Sequence, residues 1–281
     1  MKSILNKVLP ASCLFKAILA GLFFALPNMV WAQLRPVIPE DDTLDAEPPH
    51  FVEHRKVETF TVEGVSFNMV KVTGGTFMMG ATEEQGDDAY DEERPVHTVT
   101  LPDYYIGETE VTQELWEAVV GHNPSHFKGK NRPVECVRFI DIDLFLMKLE
   151  YYTGKRFRLP TEQEWEFAAR GGNISRHTKY AGCEDFDSVA WYCNNSGNQT
   201  HDVKSKAPNE LGLYDMSGNV EEWCDDVWRA YDADSDEVED KLAKVCRGGG
   251  YLDFAKHLRV SDRRKKTVTI YNNDIGLRLV R

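Results

Sequence analysis

Pro208-Asn209-Glu210-Leu211-Gly212-Leu213-Tyr214-Asp215-Met216-Ser217-Gly218-Asn219-Val220-Glu221-Glu222-Trp223 is the run from which the chain is best read. Ser217-Gly218-Asn219 is a turn by residue type: Gly and Asn accept left-handed backbone and Ser bonds to it locally. Asp215 and Glu222 flank that turn. Carboxylates beside exposed turn carbonyls suit calcium, which takes roughly six to eight oxygens. The alternative is that Asp215 only closes an Asx-turn and Glu222 is solvated.

Downstream of Gly172, short aromatic runs alternate with Asn, Gly, Ser and Asp turns through to Arg281, and no helical period returns. Upstream, three helices are legible. Thr112 is a good N-cap for a helix with Leu115, Trp116 and Val119 on one side, stopped by Gly121. Ile142, Phe145, Leu146 and Leu149 recur at i, i+3, i+4 and i+7 in a second, which ends near Gly154. The third opens on the capping box Thr161-x-x-Glu164 and carries Trp165, Ala168 and Ala169 before Gly171-Gly172. Before the helices, Phe60-Thr61-Val62 and Phe67-Asn68-Met69-Val70-Lys71-Val72 alternate as strands do. A turn at Gly74-Gly75 leads into Phe77-Met78-Met79-Gly80, a strand-turn-strand pattern. Helices followed by turn-rich short strands predict an α+β domain with much irregular backbone. No repeat recurs at a fixed period.

The chain is long enough, at 281 residues, to bury a full core. Six Trp, fourteen Phe and eleven Tyr need burial, which excludes a disordered protein. A net charge of −13 argues against a generally basic nucleic-acid binder. Lys2 and Lys7, the apolar run Leu14 to Leu26, and Val30-Trp31-Ala32 before Gln33 read as a secretory signal peptide over residues 1–32. An N-terminal membrane anchor is the alternative, though the clean apolar stretch is shorter than a span of about 20 residues. The mature chain, with charge −16, is then expected to be periplasmic, associated with the outer envelope or secreted, without a membrane span. Residues 33–57, rich in Pro and acid, read as a linker, and residues 58–281 as one domain. Five cysteines remain, an odd number, so at least one thiol stays outside any disulfide within the chain. Cys183–Cys193 and Cys224–Cys246 are the expected pairings, although connectivity does not follow from sequence.

Several motifs now stand in order. They are Gly75-Thr76-Phe77-Met78-Met79-Gly80, Glu93-Arg94-Pro95-Val96-His97, Glu110-Val111-Thr112-Gln113, and Gly154-Lys155-Arg156-Phe157-Arg158-Leu159-Pro160-Thr161-Glu162. Ala168-Ala169-Arg170-Gly171-Gly172, the Pro208–Trp223 run, Arg247-Gly248-Gly249-Gly250 and Ile275-Gly276-Leu277-Arg278 complete the set. From about residue 65 onward the chain resembles the formylglycine-generating enzyme family, also called the sulfatase-modifying-factor domain. The resemblance implies a single elaborated C-type-lectin-like domain. Matching the family's calcium site residue by residue gives the side chains of Asp215 and Glu222 and the carbonyls of Gly218 and Val220. The family's enzyme oxidises a sulfatase cysteine with oxygen and a copper ion held by two cysteines, soft ligands that suit Cu(I). Here those two positions are Asp253 and Leu258, a hard ligand and none, and no cysteine follows Cys246. Copper is therefore not expected. The resemblance then implies a binding or structural member of the family in the cell envelope. The alternatives are an oxidase with other ligands, for which Cys224 and Cys246 are the remaining candidates, and a metal-independent tautomerase using Asp253 or His257 as acid/base.

Other features weigh less. The acid runs Glu83–Glu93 and Asp232–Asp240 read as solvated loops. His50 with His54, and His122 with His126, are spaced for a metal only on a helix. The first pair lies in the linker and Pro124 interrupts the second. Between Arg247 and Arg281 nine Lys and Arg face three Asp, centred on Arg263-Arg264-Lys265-Lys266. Such a segment either presents a basic surface to an acidic protein or glycan, or pairs internally with the acid-rich loops.

Overall fold

The computed structural model describes residues 55–232 and 240–281. The expected signal peptide and most of the linker lie outside the described residues, as does most of the Asp232–Asp240 run. In chain order the strands are β1 (Val57–Val62), β2 (Val65–Val72), β3 (Gly75–Met79), β4 (His97–Leu101) and β5 (Tyr104–Gly107). Then follow helices α1 (Gln113–Val120), α2 (Phe139–Thr153), α3 (Glu162–Ala169) and α4 (Phe186–Val189). Strands β6 (Glu221–Val227), β7 (Ala243–Arg247), β8 (Arg263–Thr267) and β9 (Ile275–Gly276) complete the order.

The three helices start and stop as their sequences dictate. The Thr112 side chain accepts from Leu115 N, and Gly121 ends α1 in left-handed backbone. Thr161 and Glu164 form their reciprocal capping box at α3. Gly154 closes α2, whose Ile142, Phe145 and Leu149 are buried. The α4 turn comes from a segment with no apolar period; its Asp185 cap accepting from Asp187 N is its only local signal.

Strands β1, β2 and β5 form an antiparallel sheet in the order β1-β2-β5, while β3 and β4 make a separate two-stranded ribbon. The expected strand-turn-strand therefore divides: β2 joins one sheet and β3 another. Gly74 passes so close to Leu101 and Pro102 that a Cβ would lie 2.3 Å from a carbonyl oxygen, which docks the chain onto β4 rather than folding it back on β2. The second half builds a four-stranded sheet in the order β8-β7-β6-β9, with β6 and β9 parallel. The domain also begins earlier than residue 58. Val57 pairs with Val70, and Arg55 donates to Gly212 O at 2.7 Å.

Two apolar cores flank the elements. One gathers Trp116, Phe145, Leu149, Leu159, Trp223, Cys246 and Leu277; in it the Trp116 and Phe145 rings stack 4.8 Å apart. The other gathers Val70, Ile106, Trp165, Phe167, Cys224, Val245 and Val280 beneath α3. This division overturns the Cys224–Cys246 disulfide. Cys246 lies opposite Trp223 in the β6–β7 register, and successive strand residues face opposite sides of a sheet. Cys224 thus belongs to the second core and Cys246 to the first, both as free thiols. Cys183 and Cys193 are free as well. Both pack at the margin of a small cluster of Tyr180, Val189, Ala190, Tyr192 and Leu258, with Cys183 Sγ accepting from Asp185 N at 3.4 Å instead of bonding sulfur.

Candidate metal centre and the cleft beside it

The turn before β6 is held from several sides. Gly218 N donates to Gly248 O at 2.9 Å and Asn219 N to Trp191 O at 2.9 Å. A Cβ on Gly218 would lie 2.4 Å from the Trp191 carbonyl oxygen, and φ is +87°, so only glycine fits. Asp215 adopts φ +58° and points its carboxylate inward, where Oδ2 accepts from Lys204 N at 2.9 Å. Glu222, wholly buried in β6, accepts from Trp165 Nε1 at 2.7 Å and from Arg278 Nη2 at 2.6 Å.

A third buried carboxylate joins these two. Glu110, just before α1, accepts from Asn219 Nδ2 at 3.1 Å and from Val220 N at 3.3 Å. Burial drives its carboxyl well above the ordinary range, and repulsion from Asp215 and Glu222 adds to the rise. Burial likewise pushes Asp215 up to about 6. The three carboxylates lean on a single buried guanidinium, Arg278, so the cluster is short of positive charge. Sequence reasoning missed Glu110 and Arg278. Both stood inside quoted motifs, but nothing local marks a residue that meets the turn only through tertiary packing.

The donor chemistry fits a hard dication. Every available group is oxygen, and Asp215 leaves one carboxylate oxygen without a hydrogen-bond partner among the described residues. No turn or side-chain donor there takes up the carbonyls of Gly218 or Val220. No three His, Cys, Asp or Glu side chains among the described residues converge on one ion. A metal would therefore need those carbonyls as well as Asp215 and Glu222, a mixture calcium accepts. A cavity of about 380 Å³, lined in part by Asn68, Glu108, Glu110, Thr112 and Lys204, opens onto the cluster. His122 and His126 sit in the exposed loop after α1, not on a helix.

The two positions matched to copper cysteines are closed by other chemistry. Leu258 is completely buried against Tyr180, Val189, Ala190 and Tyr192, and its carbonyl accepts from Ser217 Oγ at 2.8 Å. Asp253 accepts from Gly250 N at 2.8 Å with one oxygen and from Arg264 Nη2 at 2.8 Å with the other. Both of its oxygens are thus engaged, one of them in an ion pair with Arg264. His257 stacks on Tyr90 with centroids 5.6 Å apart, and its Nδ1 lies 3.6 Å from Asp262 Oδ1. Cys224 and Cys246 face different cores, so they offer no paired thiolate site.

The basic segment does not form a basic surface. Arg259 pairs with Glu93, Arg263 with Glu162, Arg264 and Lys266 with Glu221, Arg247 with Glu166, Arg278 with Glu222, and Arg281 with Glu58. Of the nine cations from Arg247 onward, only Lys256 and Lys265 have no carboxylate within salt-bridge range among the described residues. Of the two readings of this segment, internal pairing accounts for seven of the nine cations. Glu93 correspondingly leaves the solvated loop expected of its run and is buried.

These pairs set an acid limit on stability. Burial alone would raise Glu84, Glu93, Glu108 and Glu164, yet their hydrogen bonds and partner cations hold all four below the ordinary value of 4.5. A depressed folded pKa contributes stability that is present above the unfolded value and lost as pH falls through the folded one. Urea unfolding at pH 5, 4 and 3 should show a progressive loss, whereas between pH 7 and 5 protonation of the raised Glu110 and Asp215 carboxyls adds stability instead. A free energy that stays level to pH 3 would show that these pairs add nothing.

An α+β domain with short paired strands, a turn-bound acidic cluster and little regular structure over its second half defines a class, and sequence comparison identifies it. The chain belongs to the sulfatase-modifying-factor family: residues 54–281 match the sulfatase-modifying factor enzyme 1-like domain. It is 33% identical to the chaperone protein LppX of Paenibacillus barcinonensis, over 77% of this chain and 90% of that one. It is 31% identical to the formylglycine-generating enzyme of Streptomyces coelicolor, over 74% and 87%. Among solved structures it superposes on Treponema denticola variable protein 1 with a TM-score of 0.70 and 32% identity, over 81% of this chain and 99% of that one. The α+β, formylglycine-generating-enzyme-type fold expected from the sequence is thus the one found. No described helix is long and apolar enough to cross a membrane.

Proposed function

We propose that this protein is an exported, non-catalytic member of the family, which acts by binding another protein in the cell envelope. One observation carries the reading: both positions that would supply copper thiolates are built into the structure for other ends. Leu258 is core and Asp253 is bound to Arg264 and Gly250 N. The likeness to a relative named as a chaperone supports a partner-binding role. The experiment incubates the purified protein with copper, oxygen, reductant and a sulfatase-type cysteine peptide, and follows the peptide by mass spectrometry. An unmodified cysteine is expected beside a control enzyme that turns over. Conversion to formylglycine would overturn the reading.

We also propose that calcium binds at the turn, held by Asp215, Glu222 and the carbonyls of Gly218 and Val220. Its role is structural: it supplies the positive charge that the cluster of Glu110, Asp215 and Glu222 lacks. The raised carboxyls of Glu110 and Asp215 support this.

A further inference from the structure

Helix α2 is apolar on two sides. Ile142, Phe145 and Leu149 face the core, as a surface helix requires. On the opposite side Ile140, Leu144, Met147 and Tyr151 are 64%, 43%, 63% and 85% exposed. Their spacing of four, three and four residues places them on one stripe along the helix, about 16 Å long at roughly 1.5 Å per residue. Scattered exposed apolar residues need no explanation, but a continuous stripe over the length of a helix marks an interface.

The borders of the stripe say which partner fits. In heptad terms Ile140 and Met147 take position d, and Leu144 and Tyr151 take position a. Asp143 and Glu150 then occupy g, and Lys148 occupies e. In a parallel pair of helices each g residue meets the partner's e residue five positions on. A second copy of α2 laid parallel to the first would therefore set Asp143 against Lys148 of its partner, once on each side of the seam. Antiparallel packing would bring the acidic g positions face to face, where like charges repel. Asp143 and Glu150 are exposed. Lys148 is half-buried, with Nζ 3.3 Å from Val120 O, within reach of the same border.

We propose that the protein self-associates through α2, as a two-fold dimer with the two helices parallel and the Ile140-Leu144-Met147-Tyr151 stripes in contact. The seam offers only four layers, so the dimer is a weak one that forms at micromolar concentrations. None of the seam's residues belongs to the carboxylate cluster or to the Asp253–Leu258 segment.

The test is sedimentation equilibrium of the purified protein from 1 to 500 μM. A reversible monomer–dimer equilibrium is expected. Met147→Glu should abolish it while leaving the circular dichroism spectrum and melting temperature unchanged, since the residue is exposed. Asp143→Lys or Lys148→Asp alone should weaken association at least tenfold, and the double exchange should restore it. Ile140→Cys should form a disulfide with its own copy under oxidation, read by peptide mapping, because a parallel seam places each layer against itself. A protein that stays monomeric at 500 μM, or a dimer indifferent to Met147→Glu, would overturn the proposal. So would an Ile140→Cys variant that links only when Tyr151→Cys is added, the signature of antiparallel packing.

Discussion

Glu166→Ala should cost about 3–5 kcal/mol of unfolding free energy, the loss expected when one partner of a buried ion pair is removed. Glu166 has no exposed surface and binds three groups at once. It accepts from Gly80 N at 2.8 Å and from Arg170 Nε at 2.9 Å, and it pairs with Arg247, itself 1% exposed. Arg247 also donates to Ser261 O at 2.6 Å and lies over the Trp165 ring. Glu166 therefore ties α3 to β7 and to the end of β3, and its removal leaves the buried Arg247 guanidinium with two backbone carbonyls and a carboxylate of Glu162 no closer than 3.8 Å. For a domain of this size, that free energy corresponds to a fall in melting temperature of roughly 6–20 °C. Glu166→Met combined with Arg247→Met should lose less than the two single changes together, because the second removes the stranded charge. Urea unfolding of the four proteins measures the cycle, and a Glu166→Ala loss under about 1 kcal/mol would contradict the account.

Calcium should raise the melting temperature by about 5–10 °C at a hundredfold excess over its dissociation constant. The excess is worth about 2.7 kcal/mol through preferential binding to the folded state, and a kilocalorie moves a domain of this size by roughly 2–4 °C. Chelator should reverse the shift, and magnesium should not replace calcium well, since it demands a tighter octahedral shell. Asp215→Asn should largely remove the calcium response while the metal-free protein stays folded, because Asn keeps the acceptor for Lys204 N and relieves repulsion on Glu110. A melting temperature indifferent to calcium and chelator would remove the metal from the description.

The framework of the domain was legible where the local signal was strong. Thr112, Thr161 and Glu164 cap their helices as residue chemistry requires, and Gly121 and Gly154 end theirs in left-handed backbone. What was not legible is tertiary. The stretch from β2 to β3 reads as a hairpin until Gly74 is seen against the backbone of Leu101 and Pro102. Arg263, Arg264 and Lys266 look like an exposed basic patch until Glu162 and Glu221 arrive from distant segments. Cys224 and Cys246 are plausible partners by spacing, and only the strand register shows that they face opposite sides of a sheet. The same limit hid Glu110: a carboxylate before a helix N-terminus looks ordinary until the turn at Gly218 is laid against it.

The pairing of β1 and β5 with the far end of the chain bears on how the molecule comes to be folded. Arg281 N donates to Tyr105 O and Tyr105 N to Arg281 O; Val280 exchanges the same pair of bonds with Arg158; and Arg281 pairs with Glu58. A growing or translocating polypeptide can form α1 to α3 early, but the first sheet stays unsealed until residues 277–281 have emerged. Closure between segments 122 to 223 positions apart is slow, because loop entropy must be lost before any contact repays it. Until then the apolar residues of β1, β2 and β5 lack the C-terminal segment that covers them. The step that seals the first sheet is therefore a late one, set by the longest loop closures in the fold rather than by any local segment.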